Sequence, residues 1–387
     1  MTAELSISLD ESRFDRQERI TWWDQDRLSS ARVLVVGAGA LGNEVVKNLV
    51  LVGVGDVVVL DFDDVEMSNL SRCVFFRPED EGRAKAEALA ARANEISPAT
   101  KVTGLTRDIR SFGTGLALRA DVMVGGLDSR EARLFVNRLA WRTGRPWVDG
   151  AMEALAGVAR VFRPPDSCYE CTLTATDFEI LSHRQSCRML SNDDLVDGKV
   201  PTTATTSSVV AGLQVQEVVK LLHADRDGVQ GVDGGFVLDG ANNDSYVIRY
   251  PFGINCQAHD TYVDPITLDT DETTTFRDVV SAAGWDEALV ELGDDHLVGW
   301  RCTSCGLEAS DHGPVMLKTF RDAECPDCGE PRQPESVTTV AVPGKDADTP
   351  LGEFGIRVDE ILAVRQGLDH RYVWAKQLDP ELPDGWR

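Results

Sequence analysis

Residues 32–63, RVLVVGAGALGNEVVKNLVLVGVGDVVVLDFD, constrain the fold more than any other stretch of the chain. Val33 to Val36 form an apolar run suited to a strand buried on both faces. Gly37, Gly39 and Gly42 come next in the G-x-G-x-x-G spacing. Leu41, Val45, Val46, Leu49 and Val50 then recur at helical intervals, and a second apolar strand, Val57 to Leu60, ends in Asp61. This is a βαβ unit with a nucleotide fingerprint. The glycines permit a tight turn and close approach of phosphate, the helix N-terminus faces the anion, and the acid suits a ribose hydroxyl. The fingerprint alone serves NAD, FAD and adenylate binders equally, so the residues beyond Asp61 must decide among them.

Asp63, Asp64, Glu66, Asn69 and Arg72 occupy that segment. A dehydrogenase needs little there. Here acids, an amide and an arginine sit just beyond a strand's C-terminal end, where α/β sheets bind ligands. Asn69 and Arg72 are suited to gripping phosphate oxygens. Gly82 to Lys85 opens a helix, and a lysine at a helix start opposes the macrodipole unless it faces a phosphate or simply lies in solvent. The strand Ala120 to Val124 leads to Asp128, placed either to hold Mg²⁺ or to cap the helix 131–144. Further strands are expected at 146–151 and 155–163. A helix expected at 207–223 has Val209, Val210, Leu213, Val218 and Leu221 as its apolar face and Gln216, Glu217 and Lys220 as its polar one.

The nine cysteines divide by spacing. Cys168 and Cys171 form a C-x-x-C in a loop after Pro164 and Pro165, which favours a zinc knuckle over a redox pair. Cys256 and His259 complete a four-ligand set. Cys302/Cys305 and Cys325/Cys328, each knuckle trailed by a glycine and the two nineteen residues apart, read as a zinc ribbon. Two structural zinc sites are therefore expected. Cys73 and Cys187 remain. Cys187 lies in the long polar stretch 172–200 beside Arg188, and is either a nucleophile or an incidental thiol.

Thirty-nine Lys and Arg against sixty-four Asp and Glu give a net charge of −25, which argues against nucleic acid or an anionic membrane as the main partner. No apolar run is long enough to span a bilayer, and the acidic N-terminus does not read as a secretory signal. A cytoplasmic location is expected, where thiols serve as metal ligands rather than disulfides. Three regions are expected: a nucleotide-binding domain at 1–262, a zinc-ribbon domain at 263–335, and a tail at 336–387 that could dock a partner or pack on the ribbon.

The motifs taken in order resemble the ThiF/MoeB superfamily, adenylating enzymes that activate ubiquitin-like proteins and sulfur carriers. The resemblance covers about residues 11–260. It rests on Arg13 to Gln17, the three glycines, Asp61-x-Asp63-x-Val65-x-x-Ser68-Asn69-Leu70-x-Arg72, Gly82-x-x-Lys85, Asp128, the first knuckle, and Gly212, Leu213, Gln214 and Glu217. It implies a Rossmann-like, mostly parallel α/β sheet. Asp61 would bind the ATP ribose, Asn69, Arg72 and Lys85 the phosphates, and Asp128 the Mg²⁺. Arg16 would reach across a homodimer into the partner's site. The implied reaction adenylates a C-terminal glycine carboxylate of a ubiquitin-like protein; thioester formation on Cys187 and transfer to a conjugating enzyme would come after it. The other course is adenylation of a sulfur carrier for thiamin or molybdopterin synthesis. Cys73 stands where the family often has Gln, and His259 stands in a knuckle that is commonly C-x-x-C.

Overall fold

The computed structural model describes residues 12–174, 176–177, 201–377 and 379–386. Eight strands form the first sheet: β1 Arg32–Val36, β2 Asp56–Leu60, β3 Lys101–Leu105, β4 Val122–Gly125, β5 Trp147–Glu153, β6 Ala156–Phe162, β7 Gly234–Asp239 and β8 Asp244–Ile248. Their order is β3-β2-β1-β4-β5-β6-β7-β8. The first five run parallel and the last three pair antiparallel. The strand order reverses direction between β1 and β4, a topological switch point of the kind that binds ligands in open α/β sheets.

Alternate residues of β1 face opposite layers, as the two-residue strand period requires. Val33 and Val35 pack with helices α1 Ala40–Val52, α2 Lys85–Ile96 and α4 Ala204–Leu222. Leu34 and Val36 face the other side, against Phe135, Val136 and Leu139 of α3 Arg130–Thr143. This is the expected mostly parallel sheet with flanking helices. The expected apolar face of α4 needs correction: Val209 is 47% exposed, whereas Gln214 is fully buried. Gln214 Nε2 donates to the carbonyls of Gly125 and Val148. Backbone acceptors at the sheet's end need a donor there, and that need sets the helix's rotation against hydrophobicity alone.

A second sheet is built from β9 Ile266–Asp269, β10 Ala288–Arg301, β11 Glu308–Ala309, β12 Gly313–Pro314, β13 Gln333–Val342, β14 Glu360–Gln366 and β15 Asp369–Lys376. The fourteen-residue β10 pairs with β11, β12, β13 and β14. Its own core is Phe276, Val279, Val290, Val340, Phe354, Val364 and their neighbours, covered by the short helix Phe276–Ala282.

The ribbon and tail do not separate near residue 335 as the sequence suggests. Cys302 comes directly after β10 and Cys328 precedes β13, so the ribbon is the far end of one long hairpin whose near end is the sheet. Much of 336–387 is likewise structural. β14 and β15 complete the sheet, and Leu382 and Trp386 are buried in the first domain's core. These two side chains of the tail are thus buried within its own chain. Arg107 pairs with Asp379 at 2.5 Å and Glu381 at 3.2 Å, fixing that return. Among the described residues no helix is long and apolar enough to cross a membrane.

The hairpin arrangement carries a local prediction. The core beneath the ribbon is small, chiefly Leu297, Trp300 and Ala323, and lies apart from the sheet's own core. Replacing Cys305 with serine should lower bound zinc by one equivalent and release hydrogen-exchange protection in 302–332. Protection in β14 and β15 should persist, because their burial does not depend on the metal. Loss of protection throughout the second sheet would show that the metal holds the whole domain.

Candidate nucleotide site and metal centres

The ends of β1, β2 and β4, adjacent in the sheet, supply the glycine loop, Asp61 and the segment leading to Asp128. Gly37 has φ +102°, and a Cβ there would lie 2.6 Å from the carbonyl oxygen of Gly126. A Cβ on Gly42 would lie 1.9 Å from the Gly37 oxygen. Both glycines are thus required by backbone crossing backbone. Gly39 is different, since a Cβ there would meet nothing within 4 Å. Gly39 begins α1 without a side-chain cap, leaving the helix's first N–H groups available to an anion.

Asp61 is drawn into this turn. Its Oδ2 accepts from the Ala38 N–H at 2.6 Å and its Oδ1 from the Asp63 N–H at 2.9 Å. Burial raises the carboxyl above its ordinary value, against the pull of those N–H groups and Lys85. Backbone bonds between 63–65 and 82–85 bring Lys85 under the same loop, where its Nζ meets Asp63 Oδ2 at 2.7 Å. Burial works to lower the lysine, but Asp63 and Asp61 outweigh it and hold its pKa above the usual value. Lys85 is therefore a fixed cation. Asn69 is buried and its Oδ1 accepts from Glu66 N–H, closing the turn Met67–Ser71. Arg72 donates to the Ser68 carbonyl at 2.7 Å.

Asp128 is exposed and makes no hydrogen bond or ion pair among the described residues. Ser129, not Asp128, caps α3, accepting from Ala132 N–H. The capping alternative for Asp128 is thus removed. An exposed, uncommitted carboxylate at a strand end suits Mg²⁺ carried with nucleotide phosphates, since that ion uses few protein ligands. Arg16 sits exposed in the short helix Asp15–Glu18. Cys187 lies outside the described residues.

Two side chains of this site were not evident from sequence. Asn43, fully buried, donates to the carbonyls of Ala38 and Gly39 and accepts from Phe75 N–H, bracing the glycine loop. Its one signal is a polar residue directly after Gly42, in the first turn of the helix that the glycine loop opens. Arg133 donates to the carbonyls of Leu127 and Gly150 and pairs with buried Asp149, which also takes Arg160. The carbonyl next to Asp128 is thereby held from below.

Both expected metal sets assemble. Cys168, Cys171, Cys256 and His259 bring their ligand atoms within 4.8 Å of one another, as do Cys302, Cys305, Cys325 and Cys328. Zn–S bonds of about 2.3 Å in a tetrahedron require sulfurs about 3.8 Å apart. The observed separations are 3.6 Å for Cys168–Cys171 and Cys168–Cys256, 3.5 Å for Cys302–Cys328 and 3.6 Å for Cys305–Cys325. Cys171 Sγ lies 3.2 Å from His259 Nε2. The His259 ring stacks against Trp141 and also against Phe252, and burial lowers its pKa, favouring the neutral imidazole a metal requires. The donor sets fit zinc.

A model of the ThiF family matches residues 14–246, and the chain belongs to that family. It is 32% identical over 249 residues to the SAMP-activating enzyme E1 of Haloferax volcanii, spanning 61% of this chain and 82% of that protein. It is 27% identical over 322 residues to the Nedd8-activating enzyme E1 catalytic subunit of Drosophila melanogaster, spanning 65% of this chain and 71% of that protein. Among solved structures, E. coli MccB with ATP aligns with a TM-score of 0.54 and 20% identity over 67% of this chain and 77% of that one, a likeness of fold. The expected family and the expected class, an adenylating enzyme, are borne out.

Proposed function

We propose that this enzyme uses ATP to adenylate the C-terminal carboxylate of a ubiquitin-like protein, holds the acyl group as a thioester on Cys187, and passes it to a conjugating enzyme. The observation that carries the reading is the convergence of the open glycine loop, fixed Lys85 and uncommitted Asp128 at adjacent strand ends. A carboxylate is a poor acyl donor until it bears a leaving group. Its oxygen attacks the α-phosphorus of ATP, the bond to the α–β bridging oxygen breaks, and pyrophosphate leaves; the Cys187 thiolate then attacks the adenylated carbonyl carbon, its bond to the phosphate oxygen breaks, and AMP leaves. Lys85 and Arg72 offset charge on the phosphates, Asn69 shapes their loop, Asp61 and Asp63 meet the ribose side, and Asp128 would hold Mg²⁺. Arg16, exposed and uncommitted among the described residues, would complete the site of the second subunit in a homodimer.

The thiols support the assignment of Cys187. Seven cysteines lie in the two metal sets. Cys73 is buried, and desolvation pushes its pKa up to about 11, which keeps it protonated and unreactive. A cytoplasmic setting suits both zinc centres and a free acceptor thiol.

The test is ATP–pyrophosphate exchange with ubiquitin-like proteins encoded near the gene, then non-reducing gels of wild type and Cys187→Ala. Exchange with a thiol-sensitive adduct that Cys187→Ala loses is the expected result. Exchange without an adduct would transfer the reading to sulfur-carrier activation or direct hand-off. No exchange with any such protein sinks it.

A further inference from the structure

Arg133, Asn137 and Trp141 stand four residues apart on α3 and share one stripe of the helix. At one end Arg133 grips the carbonyl before Asp128. At the other, Trp141 stacks on the metal ligand His259 with ring centroids 3.9 Å apart. Asn137 lies between them, fully buried. Its Oδ1 accepts from the Tyr169 N–H at 2.8 Å, within the knuckle of Cys168 and Cys171. Its Nδ2 is buried with no hydrogen-bond partner among the described residues, on the same side chain whose Oδ1 holds the residue after Cys168. A buried amide donor is costly unless satisfied. A thiolate on a metal keeps lone pairs that such a donor can meet, and groups of this kind orient ligands and strengthen metal binding.

We infer that Asn137 is a positioning residue for the first metal centre: Nδ2 donates to the Cys168 thiolate when that sulfur ligates zinc, while Oδ1 fixes the turn that carries it. The centre is thereby fastened to the helix that begins beside Asp128. The inference rests on zinc occupying that set. The second, all-cysteine set is far along the chain and does not involve Asn137, so it serves as an internal reference.

The experiment uses the full chain, with zinc content and competition against a colorimetric chelator. Wild type should carry two zinc equivalents. In Asn137→Leu one zinc should be lost to chelator at about tenfold or greater lower affinity, with the other unchanged. Asn137→Ser, whose hydroxyl is too short to bridge both partners, should behave alike and serves if the leucine variant does not fold. With Co²⁺ in place of zinc, loss of an N–H donor to sulfur should move part of the thiolate-to-metal absorption to longer wavelength. Unchanged affinities at both sites with an unchanged spectrum would overturn the inference. A wild-type chain holding only the ribbon's zinc would remove its premise, whether or not exchange activity is present.

Discussion

Asp128→Ala is expected to reduce ATP–pyrophosphate exchange by about 100-fold or more, with no change in unfolding midpoint. The two halves of this expectation come from the same observation. Asp128 is exposed, caps nothing, and makes no bond among the described residues. Removing such a carboxylate should change stability by no more than about 0.5 kcal/mol. Its place just past the end of β4, beside the glycine loop at the switch point, is where the proposed nucleotide would lie. The loss should depend on magnesium: raising Mg²⁺ should recover some activity if the carboxylate's role is to hold the ion. Exchange within a fewfold of wild type at ordinary Mg²⁺ would remove Asp128 from the site. Lys85→Ala provides a contrast, because it also frees Asp63 from its ion pair and should not respond to Mg²⁺.

The glycine loop, the acids at strand ends and the pairs of candidate zinc ligands could be read from sequence because each depends on local spacing. Gly37 is imposed by a positive φ and a backbone 2.6 Å away, and a C-x-x-C-G knuckle by the geometry of thiolates round an ion. The side chains that hold these parts in place were less legible. Gln214 matched a family motif, but its burial against Gly125 depends on where α4 crosses the sheet. Asn43 and Arg133 address backbone carbonyls, which no spacing rule announces. The second sheet was illegible for another reason. Its pairs join residues far apart in sequence, such as Val290 with Val364 and Val373 with Ile266. The strand Glu360–Gln366 is buried at five successive positions, so it lacks the alternation that marks a half-buried strand.

Asp359→Ala should destabilise the chain by about 3–5 kcal/mol in denaturant unfolding, the cost of leaving a buried partner charge uncompensated. Asp359 and Arg119 are 4% and 7% exposed and form an ion pair joining the second sheet to the first domain. Trp374 Nε1 donates to the other carboxylate oxygen at 2.8 Å, and Gly113 and Gly115 N–H groups donate to the carbonyls of Val358 and Asp359. Asp359 also has φ +64°, a conformation that Asp and Asn tolerate better than Ala. Asp359→Asn keeps that tolerance and an acceptor for Trp374 but removes the charge, so comparing it with alanine separates charge from backbone strain. Burial raises the Asp359 carboxyl above its ordinary value of 3.8, despite Arg119 and Trp374. Between that value and the raised one, the folded state holds a proton that the unfolded state has released. The group's contribution to stability therefore falls as pH rises through that window and is constant above it. A buried ion pair adds little over well-packed apolar side chains, so replacing both Arg119 and Asp359 with apolar residues should recover much of the loss. If the double variant is as unstable as Asp359→Ala, the unpaired charge of Arg119 is not the cause.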